Sequence, residues 1–389
     1  MKQKFLTGNR VDLLECGREY FPALLEAING AQKEVHLESY IFEPDETGRG
    51  IAAALAAAAR RGVAVRVLVD GFGARDFAGG LGRMLQENGV EVLVYRAEVA
   101  SLRMRRNRLR RLHRKVVVVD ASIAFVGGIN VIDDMDTPHQ TPPRYDYAVR
   151  VSGPLLADIH GAARHLWQLV RWAELRHRYR VPLDLLPDVA PKGDTIAAFV
   201  IRDNIGHRRD IEEAYLEAIA SARREMVIAS AYFLPGWRFR RALADAVERG
   251  VVVTVLLQGR VEYLLLHYAT QALYGALLKS GVHILEYRRS FLHAKVAVAD
   301  ETWATVGSSN IDPFSLLLAR EANVVVYDPG FARRLRDSLR RAMTDGATEV
   351  KAEDVLKRPL AMRLACWFAY GLVRLLIGFS RYGGNDYRE

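Results

Sequence analysis

Two nine-residue stretches of this chain are almost the same: residues 112–120 read LHRKVVVVD, and residues 292–300 read LHAKVAVAD. Further pairs of similar stretches surround them in the same order. These are residues 33–42 with 224–233, 60–71 with 248–259, 87–96 with 279–288, and 126–130 with 306–310. Five blocks that recur in one order, with similar spacing, indicate that the chain contains the same structural unit twice.

Each repeat alternates two kinds of segment. Runs of Val, Ile and Leu are bounded by glycine, and alanine-rich amphipathic stretches such as residues 50–62 lie between them. Buried strands joined by helical crossovers are typical of a sheet covered by helices. The sequence therefore predicts an α/β fold of two pseudo-symmetric α/β/α sandwich lobes with mixed, mostly parallel sheets. Prolines cluster within residues 180–194, which predicts a first lobe at 1–185, a second at 186–345 and a tail at 346–389.

The composition indicates which binding partners and which cellular compartment suit this chain. A net charge of +9 over 389 residues favours a polyanionic partner, either nucleic acid or an anionic membrane surface. The two cysteines, Cys16 and Cys366, lie near opposite ends and build no disulfide framework, which suits a reducing compartment. We expect no signal peptide, because the first residues lack an apolar core. We expect no spanning helix, because no stretch of about 18 residues is both apolar and uncharged.

The repeated stretch carries a histidine and a lysine two residues apart. In a strand, alternate side chains share a face, so His113 and Lys115 point the same way and Asp120 points the opposite way. Lysine is a poor metal ligand, and neither histidine nor carboxylate recurs at ligand spacing, so the pair favours an anion over a metal. One such pair at a strand end is usually a solvated edge. Its occurrence at equivalent positions of both repeats favours an active site.

A pseudo-twofold arrangement would bring both pairs to one cleft. The second pair is His293 and Lys295, and an asparagine follows each pair, Asn130 in the first repeat and Asn310 in the second. Two ammonium groups and two amides can hold a phosphodiester and stabilise its pentacoordinate transition state without a metal. One histidine can then attack phosphorus while the other protonates the leaving alcohol, and the symmetry leaves open which does which.

This pattern resembles that of the phospholipase D superfamily. The motif His-x-Lys-x4-Asp, followed by Gly-Gly/Ser-x-Asn, occurs twice, and the resemblance covers about residues 10–345. The matching residues are His113, Lys115, Asp120 and Asn130, and then His293, Lys295, Asp300 and Asn310. The resemblance implies a two-lobed α/β/α fold and a covalent phosphohistidine intermediate, with no metal or other cofactor.

The motif aspartates lie on the opposite face of the strand from the histidines, so they cannot orient them. A catalytic histidine usually needs a hydrogen-bond acceptor at the ring nitrogen that does not react. Aligning the two valine-rich stretches that follow the asparagines pairs Asp146 with Glu321. We expect Asp146 and Glu321 to orient the histidines, and Asp120 and Asp300 to be structural. The alternative is that Asp146 and Glu321 are surface acids at strand ends.

An arginine-rich segment precedes the first motif. Tyr95 lies 18 residues before His113, whereas Tyr287 lies only 6 before His293. The extra residues include a run of arginines: Arg103, Arg105, Arg106, Arg108, Arg110 and Arg111. Beside a phosphodiester site, this run would bind lipid phosphate groups through bidentate contacts, or a nucleic-acid backbone. The alternative is a solvated basic loop.

Residues 360–384 are strongly apolar but carry two arginines. Arg363 and Arg374 are eleven residues apart, which is about three helical turns, so they share one face of a helix. Together with Trp367, they predict an amphipathic helix that lies in a membrane interface rather than spanning the membrane. The alternative is a helix docked on the rest of the chain or on a partner chain.

Within the superfamily, the whole pattern is similar to bacterial cardiolipin synthases, in ESYIF at 38–42, GGIN at 127–130 and GSSNID at 307–312. It is most similar to the shorter type without N-terminal membrane spans. The resemblance implies transfer of a phosphatidyl group from one phosphatidylglycerol to another, with release of glycerol. It also implies a peripheral or monotopic enzyme at the bacterial inner (cytoplasmic) membrane, with anionic phospholipid as partner.

Several rival functions share these residues. We expect His113 to attack the donor phosphorus and His293 to act as acid and base, although the reverse assignment fits equally well. Phosphatidylethanolamine is an alternative donor, and a phospholipid hydrolase would share every catalytic residue. A nuclease is less favoured, because it has little use for the apolar tail. Two intact motifs argue against a scaffold protein without chemistry.

Overall fold

A computed structural model describes residues 3–96, 110–137, 140–174, 185–203, 206–261 and 263–380. The strands of the first repeat are β1 (Leu6–Glu15), β2 (Glu34–Ser39), β3 (Ala64–Asp70), β4 (Glu91–Tyr95), β5 (Lys115–Val119), β6 (Ile123–Gly127) and β7 (Tyr147–Ser152). Its helices are α1 (Cys16–Gly30), α2 (Glu46–Arg60), α3 (Leu81–Glu87) and α4 (Leu156–Ala173).

The second repeat has the same succession of strands, with one further strand at its end and with additional helices both within it and after it. Its strands are β8 (Thr195–Arg202), β9 (Glu225–Ser230), β10 (Val252–Gln258), β11 (His283–Tyr287), β12 (Lys295–Ala299), β13 (Trp303–Gly307), β14 (Glu321–Tyr327) and β15 (Ala347–Glu349). Its helices are α5 (Asp210–Ser221), α6 (Trp237–Glu248), α7 (Leu264–Ala272), α8 (Tyr274–Lys279), α9 (Pro313–Leu317), α10 (Pro329–Gly346), α11 (Ala352–Leu356) and α12 (Leu360–Ser380).

The strands form one continuous sheet in the order β15-β11-β10-β9-β12-β13-β14-β8-β1-β7-β6-β5-β2-β3-β4. The order on one side of the β1–β8 junction mirrors the order on the other. The junction itself is antiparallel and irregular, with Leu6 opposite Ala197 and Asn9 opposite Thr195. The predicted mixed α/β fold with two pseudo-symmetric halves is therefore confirmed.

The expected predominance of parallel pairing is wrong. Among the strands that the structure describes, four neighbouring pairs are parallel and ten are antiparallel. Strands joined through helices, such as β2 and β3, are parallel. A tight turn instead joins β5 to β6, with Asp120 and Ala121 both at a φ of 51°. Only residues 120–122 separate the two strands, and a connection this short can join only antiparallel neighbours.

Apolar residues are buried on both faces of the sheet and also between the halves. One core cluster contains Val126 of the first half and Val306 of the second, both fully buried. It also takes in Ile159 of α4 and Leu335 of α10. Burial of each such side chain contributes about 1.5–3 kcal/mol. The two halves therefore share part of their core, which fixes their relative orientation and the cleft between them.

Helix α12 packs on the second half along one side only. Ala369 and Val373 are buried in the core cluster of that half. The opposite side is apolar and open to solvent: Leu364, Trp367 and Phe368 are 61%, 57% and 74% exposed. One side of α12 is therefore docked on the rest of the chain, as the alternative interpretation expects, and the membrane-interface interpretation stays a prediction for the exposed side. In the described part of the chain, no helix is long and apolar enough to cross a membrane.

Candidate active site

The loop that leads into each motif is bound by its backbone to the other half of the molecule. The N–H of His113 donates to the carbonyl of Arg320 (2.9 Å), and the N–H of His293 donates to the carbonyl of Tyr145 (2.8 Å). These are equivalent bonds of the two repeats. Arg320 is followed by Glu321 and Tyr145 by Asp146. These backbone bonds therefore place one carboxylate next to each histidine.

Each histidine contacts the acid of the opposite repeat. Nδ1 of His113 lies 3.0 and 3.1 Å from the two carboxylate oxygens of Glu321. Nδ1 of His293 lies 2.6 Å from Oδ2 of Asp146. Both acids are buried. An imidazole whose Nδ1–H is held by a carboxylate presents Nε2 as the reactive atom, so both rings are oriented for chemistry through Nε2.

The motif lysines lie beside their own histidines and are buried. Nζ of Lys115 donates to the carbonyl of His113 (2.7 Å). Nζ of Lys295 contacts the carbonyl of His293 and also lies 2.9 Å from its Nδ1. Burial lowers the pKa of Lys115 to about 7, and the positive charge of Lys295 adds to the shift. Two lysines in one small volume make a site for an anion, because the negative charge of the anion favours the protonated form of both.

The motif asparagines face the same space. Oδ1 of Asn130 accepts the N–H of Ile41 (3.2 Å), and Oδ1 of Asn310 accepts the N–H of Tyr232 (3.4 Å). Since each carbonyl oxygen is held by the backbone, the orientation of each amide is set and its NH₂ group can serve as a donor. The two asparagines are therefore suited to bind phosphate oxygens.

A pocket of about 390 Å³ lies between the two halves. We call it the central pocket, and it is lined among others by His113, Asn130, Asp146, His293 and Asn310. The two histidines, which are 180 residues apart in the sequence, thus share one cavity.

The motif aspartates lie elsewhere. The carboxylates of Asp120 and Asp300 accept the backbone N–H groups of residues 32–34 and 223–225, respectively, at 2.7–3.0 Å. Neither aspartate lines the central pocket. Three N–H donors on one carboxylate tie the turn after β5 to the start of β2, and the turn after β12 to the start of β9. Asp120 and Asp300 therefore have the geometry of structural residues that fix these turns.

Burial sets the protonation of the histidine–acid pairs. It lowers the pKa of His113, while the charge of Glu321 opposes this shift. It holds the pKa of His293 well below its ordinary value, and the positive charges of Lys295 and then Lys115 add to the effect. Both imidazoles are therefore neutral at pH 7, as a nucleophile must be. Burial also raises the pKa of Asp146 to about 6.

The two half-sites differ at one position of the motif. A Cβ at Gly128 would collide with the carboxylate of Asp146, so this position requires glycine. The equivalent residue is Ser308, whose hydroxyl donates to Glu321 (2.5 Å). The second acid thus gains a hydrogen bond that the first has no room for.

Sequence reasoning did not single out several lining residues. Arg144 lines the central pocket two residues before Asp146, in the segment that leads into β7. Tyr40 contacts the ring of His113, with 4.8 Å between ring centroids, and lies within the quoted ESYIF stretch. Asp134 also lines the pocket and accepts the N–H of Gly17 (2.8 Å). Arg144 could have been found from its position two residues before Asp146, because alternate residues of an extended segment share a face.

Only part of the arginine-rich segment can be placed. Arg103, Arg105, Arg106 and Arg108 lie outside the described residues. Arg111 lines the central pocket, whereas Arg110 is half-buried outside it. On α12, Arg363 and Trp367 are exposed and Arg374 stacks on Tyr370, all three outside the central pocket.

One group of potential metal ligands occurs among the described residues, outside the central pocket. It consists of Glu34, His36 and His160, all buried between β2 and α4. The guanidinium of Arg66 lies 3.2 Å from both Glu34 Oε2 and His36 Nε2. A fixed positive charge at this distance opposes a metal cation, so the cluster fits an internal polar network.

The chain is similar to known cardiolipin synthases along most of its length. Residues 24–135 and 215–343 match the family described as cardiolipin synthase, PLD-like domain. Cardiolipin synthase B of Escherichia coli K12 is 40% identical over 368 residues, which are 92% of this chain and 86% of that protein. The major cardiolipin synthase ClsA of Bacillus subtilis is 30% identical over 92% of this chain and 74% of its own length.

Solved structures support the fold. The crystal structure of phosphatidylserine synthase from Haemophilus influenzae Rd KW20 superposes with a TM-score of 0.71, covering 98% of both chains at 13% identity. That of polyphosphate kinase from Porphyromonas gingivalis gives a TM-score of 0.59 at 14% identity, over 96% of this chain and 54% of that one. At these identities the likeness concerns the arrangement of the chain.

Proposed function

Because the chain belongs to the phospholipase D-like family of cardiolipin synthases, we propose that its central pocket transfers a phosphatidyl group from one phosphatidylglycerol to the terminal hydroxyl of another. The enzyme is thus a phosphatidyltransferase, and glycerol is its second product. One observation carries the assignment: two histidines, each held by a carboxylate of the opposite half, face one pocket that is also lined by two asparagines, and a buried lysine lies beside each histidine.

In the first step, Nε2 of His113 attacks the donor phosphorus. A P–N bond forms and the P–O bond to glycerol breaks. His293, which takes up a proton at Nε2 when the anionic phosphate binds, gives that proton to the departing oxygen. Both carboxylate oxygens of Glu321 lie at Nδ1 of His113. They hold a proton on that atom and keep the lone pair on Nε2, which favours His113 as the nucleophile.

In the second step, His293 removes the proton of the acceptor hydroxyl. The acceptor oxygen attacks phosphorus, the P–N bond breaks, and cardiolipin leaves with His113 neutral again. Nδ1 of His293 lies between an acceptor, Asp146 (2.6 Å), and a donor, Lys295 (2.9 Å). Asp146 stabilises the imidazolium formed in this step. Two in-line displacements leave the configuration at phosphorus unchanged.

The reacting phosphate needs positive charge, and the pocket supplies it without a metal ion. Lys115 and Lys295 provide two ammonium groups, and Asn130 and Asn310 provide amide donors. These groups are fixed before the substrate arrives, so they stabilise the pentacoordinate transition state without further reorganisation. We therefore expect full activity in EDTA.

The substrate is delivered at a membrane surface. Helix α12, which exposes an apolar side, packs against α7, and α7 carries the exposed Leu264 and the pocket-lining Leu266. Apolar side chains next to the entrance of a lipid-binding pocket suit a peripheral enzyme at the bacterial cytoplasmic membrane.

Purified protein mixed with phosphatidylglycerol vesicles in EDTA tests the proposal, with products identified by mass spectrometry. We expect cardiolipin and glycerol from the native protein, and neither from His113→Ala. Phosphatidic acid as the sole product would make the enzyme a hydrolase. Labelled phosphate trapped on His293 rather than His113 would reverse the two histidine roles.

A further inference from the structure

Two arginines line the central pocket in addition to the histidines and asparagines, among the lining residues that the structure describes. Arg111 precedes His113 by two residues, and Arg144 precedes Asp146 by two. Both belong to the first repeat. The equivalent positions of the second repeat hold Phe291 and Ala319, so the pseudo-symmetry of the site is broken here.

The crossing of the two halves nevertheless places one arginine near each histidine-bearing segment of the pocket. Tyr145 bridges Leu292 in parallel register, which sets Arg144 alongside Phe291, next to His293. The guanidinium of Arg144 lies 4.8 Å from the centre of the Phe291 ring. Its own backbone N–H donates to the carbonyl of Asp134 (2.7 Å). Arg144 is thus held at the His293 end, with its planar group supported by an aromatic ring.

Arg111 lines the central pocket on the side of His113. It lies next to the His113 strand, with its guanidinium 4.9 Å from the centre of the Phe72 ring and 3.9 Å from Oδ1 of Asp70. Asp70 is a buried carboxylate that also accepts the N–H of Leu112 (2.8 Å). The charge of Arg111 is therefore partly balanced by a fixed acid.

The proposed reaction contains two phosphates of different kinds. The reacting one lies between the histidines, within reach of the lysines and asparagines. The acceptor phosphatidylglycerol brings a second phosphate, three carbons from the hydroxyl that attacks. In an in-line displacement by His113, the acceptor hydroxyl enters at His293, so the second phosphate must lie beyond His293. This inference rests on the proposed function and on that assignment of the histidines.

We propose that Arg144 binds the non-reacting phosphate of the acceptor phosphatidylglycerol, and so selects a phosphate-bearing alcohol over water or a neutral alcohol. A guanidinium can bind a phosphodiester with two parallel hydrogen bonds, which gives orientation as well as affinity. Arg144 is a specificity-determining residue in this scheme. The acceptor hydroxyl is held at the phosphohistidine because its own phosphate is fixed at the end of the pocket.

A competition between two acceptors tests the role of Arg144. Phosphatidylglycerol vesicles are supplied with 1-butanol, and cardiolipin and phosphatidylbutanol are quantified together by mass spectrometry. Both products form from one phosphohistidine intermediate, so their ratio reports only the choice of acceptor. It does not depend on how much of a variant is folded. We expect Arg144→Gln to lower the ratio of cardiolipin to phosphatidylbutanol by about 10- to 100-fold, the usual effect of losing a charged hydrogen bond.

Three further variants make the test specific. Arg144→Lys keeps the charge but loses the bidentate geometry, so its ratio should be intermediate. Arg111→Gln should slow formation of both products and leave their ratio unchanged. Arg241→Gln is the matched surface control, because Arg241 also stacks on an aromatic ring, Trp237 at 5.3 Å, but outside the pocket. It should match the native protein in rate and ratio.

A ratio within twofold of the native value in Arg144→Gln would overturn the inference, and so would a selective loss in Arg111→Gln. Either result would leave the proposed function standing, since the native protein would still make cardiolipin. Formation of phosphatidylbutanol without any cardiolipin by the native protein would instead overturn the proposed function, and the inference with it.

Discussion

The carboxylate of Asp146 lies 2.6 Å from Nδ1 of His293, although 147 residues separate the two in the chain. Glu321 holds His113 in the same way from the other half. Each repeat thus supplies a histidine to one half-site and an acid to the other. Neither histidine is oriented unless both halves are folded and associated, which couples the chemistry to the shared core.

Replacement of the orienting acids should damage catalysis more than stability. We expect Asp146→Asn and Glu321→Gln each to lower kcat by about 10²- to 10⁴-fold, because the imidazole loses the group that fixes its tautomer. Asp120→Asn should keep most of kcat and lower the free energy of unfolding by about 1–3 kcal/mol, since it weakens the bonds to residues 32–34. Turnover and thermal unfolding measured on each variant separate the two effects. Full activity of both acid variants with an inactive, folded Asp120→Asn would contradict these roles.

Glycine and serine should not be interchangeable at the equivalent positions Gly128 and Ser308. In Gly128→Ser the new side chain meets the carboxylate of Asp146, so we expect kcat to fall by about tenfold or more as His293 is displaced. Ser308→Gly removes one hydrogen bond to Glu321 and should cost only about 1 kcal/mol of stability. Steady-state kinetics and melting curves of the two variants test this. Equal losses of kcat would refute the asymmetry.

Lys115 should destabilise the folded protein in a pH-dependent way. Its pKa is about 7 in the folded state, against an ordinary value of 10.5. Between these values the unfolded chain binds a proton that the folded protein does not, so the contribution of this group to the free energy of unfolding rises with pH. We expect Lys115→Met to stabilise the protein, most strongly below pH 7 and progressively less towards pH 10.5. Urea unfolding over this range measures it, with the exposed Lys279→Met as a control that lacks the effect.

The exposed side of α12 should bind membranes. Replacing Trp367 and Phe368 by glutamate puts charge on a surface that is now apolar, so we expect at least about tenfold weaker co-sedimentation with phosphatidylglycerol vesicles. Activity on a short-chain, water-soluble phosphatidylglycerol should fall much less. Leu186→Glu serves as the matched control, because Leu186 is also an exposed apolar residue, 84% accessible, but lies outside α12. Unchanged vesicle binding in the double variant would show that the exposed side of α12 is not the membrane-binding surface.

The sequence could predict much of this site because strand geometry is local. His113 and Lys115 share a face and Asp120 does not, since side chains alternate along a strand. The duplicated motif places the same groups twice. Asp146 and Glu321 emerged from aligning the repeats, but the alignment did not say which acid serves which histidine.

The sequence by itself determined the duplication, the chemistry of the repeated groups and the α/β class, all of which depend on residue type and short-range periodicity. Only the tertiary structure decided that the acids cross between the halves and that Arg111 and Arg144 both line the pocket, Arg144 beside Phe291 of the other half. It also decided that most of the strand pairs that the structure describes are antiparallel, and that α12 buries one side against the second half. These features depend on which surfaces pack together over long distances in the chain. Apolar burial and backbone hydrogen bonds between the halves select that packing, and no single stretch of sequence contains it.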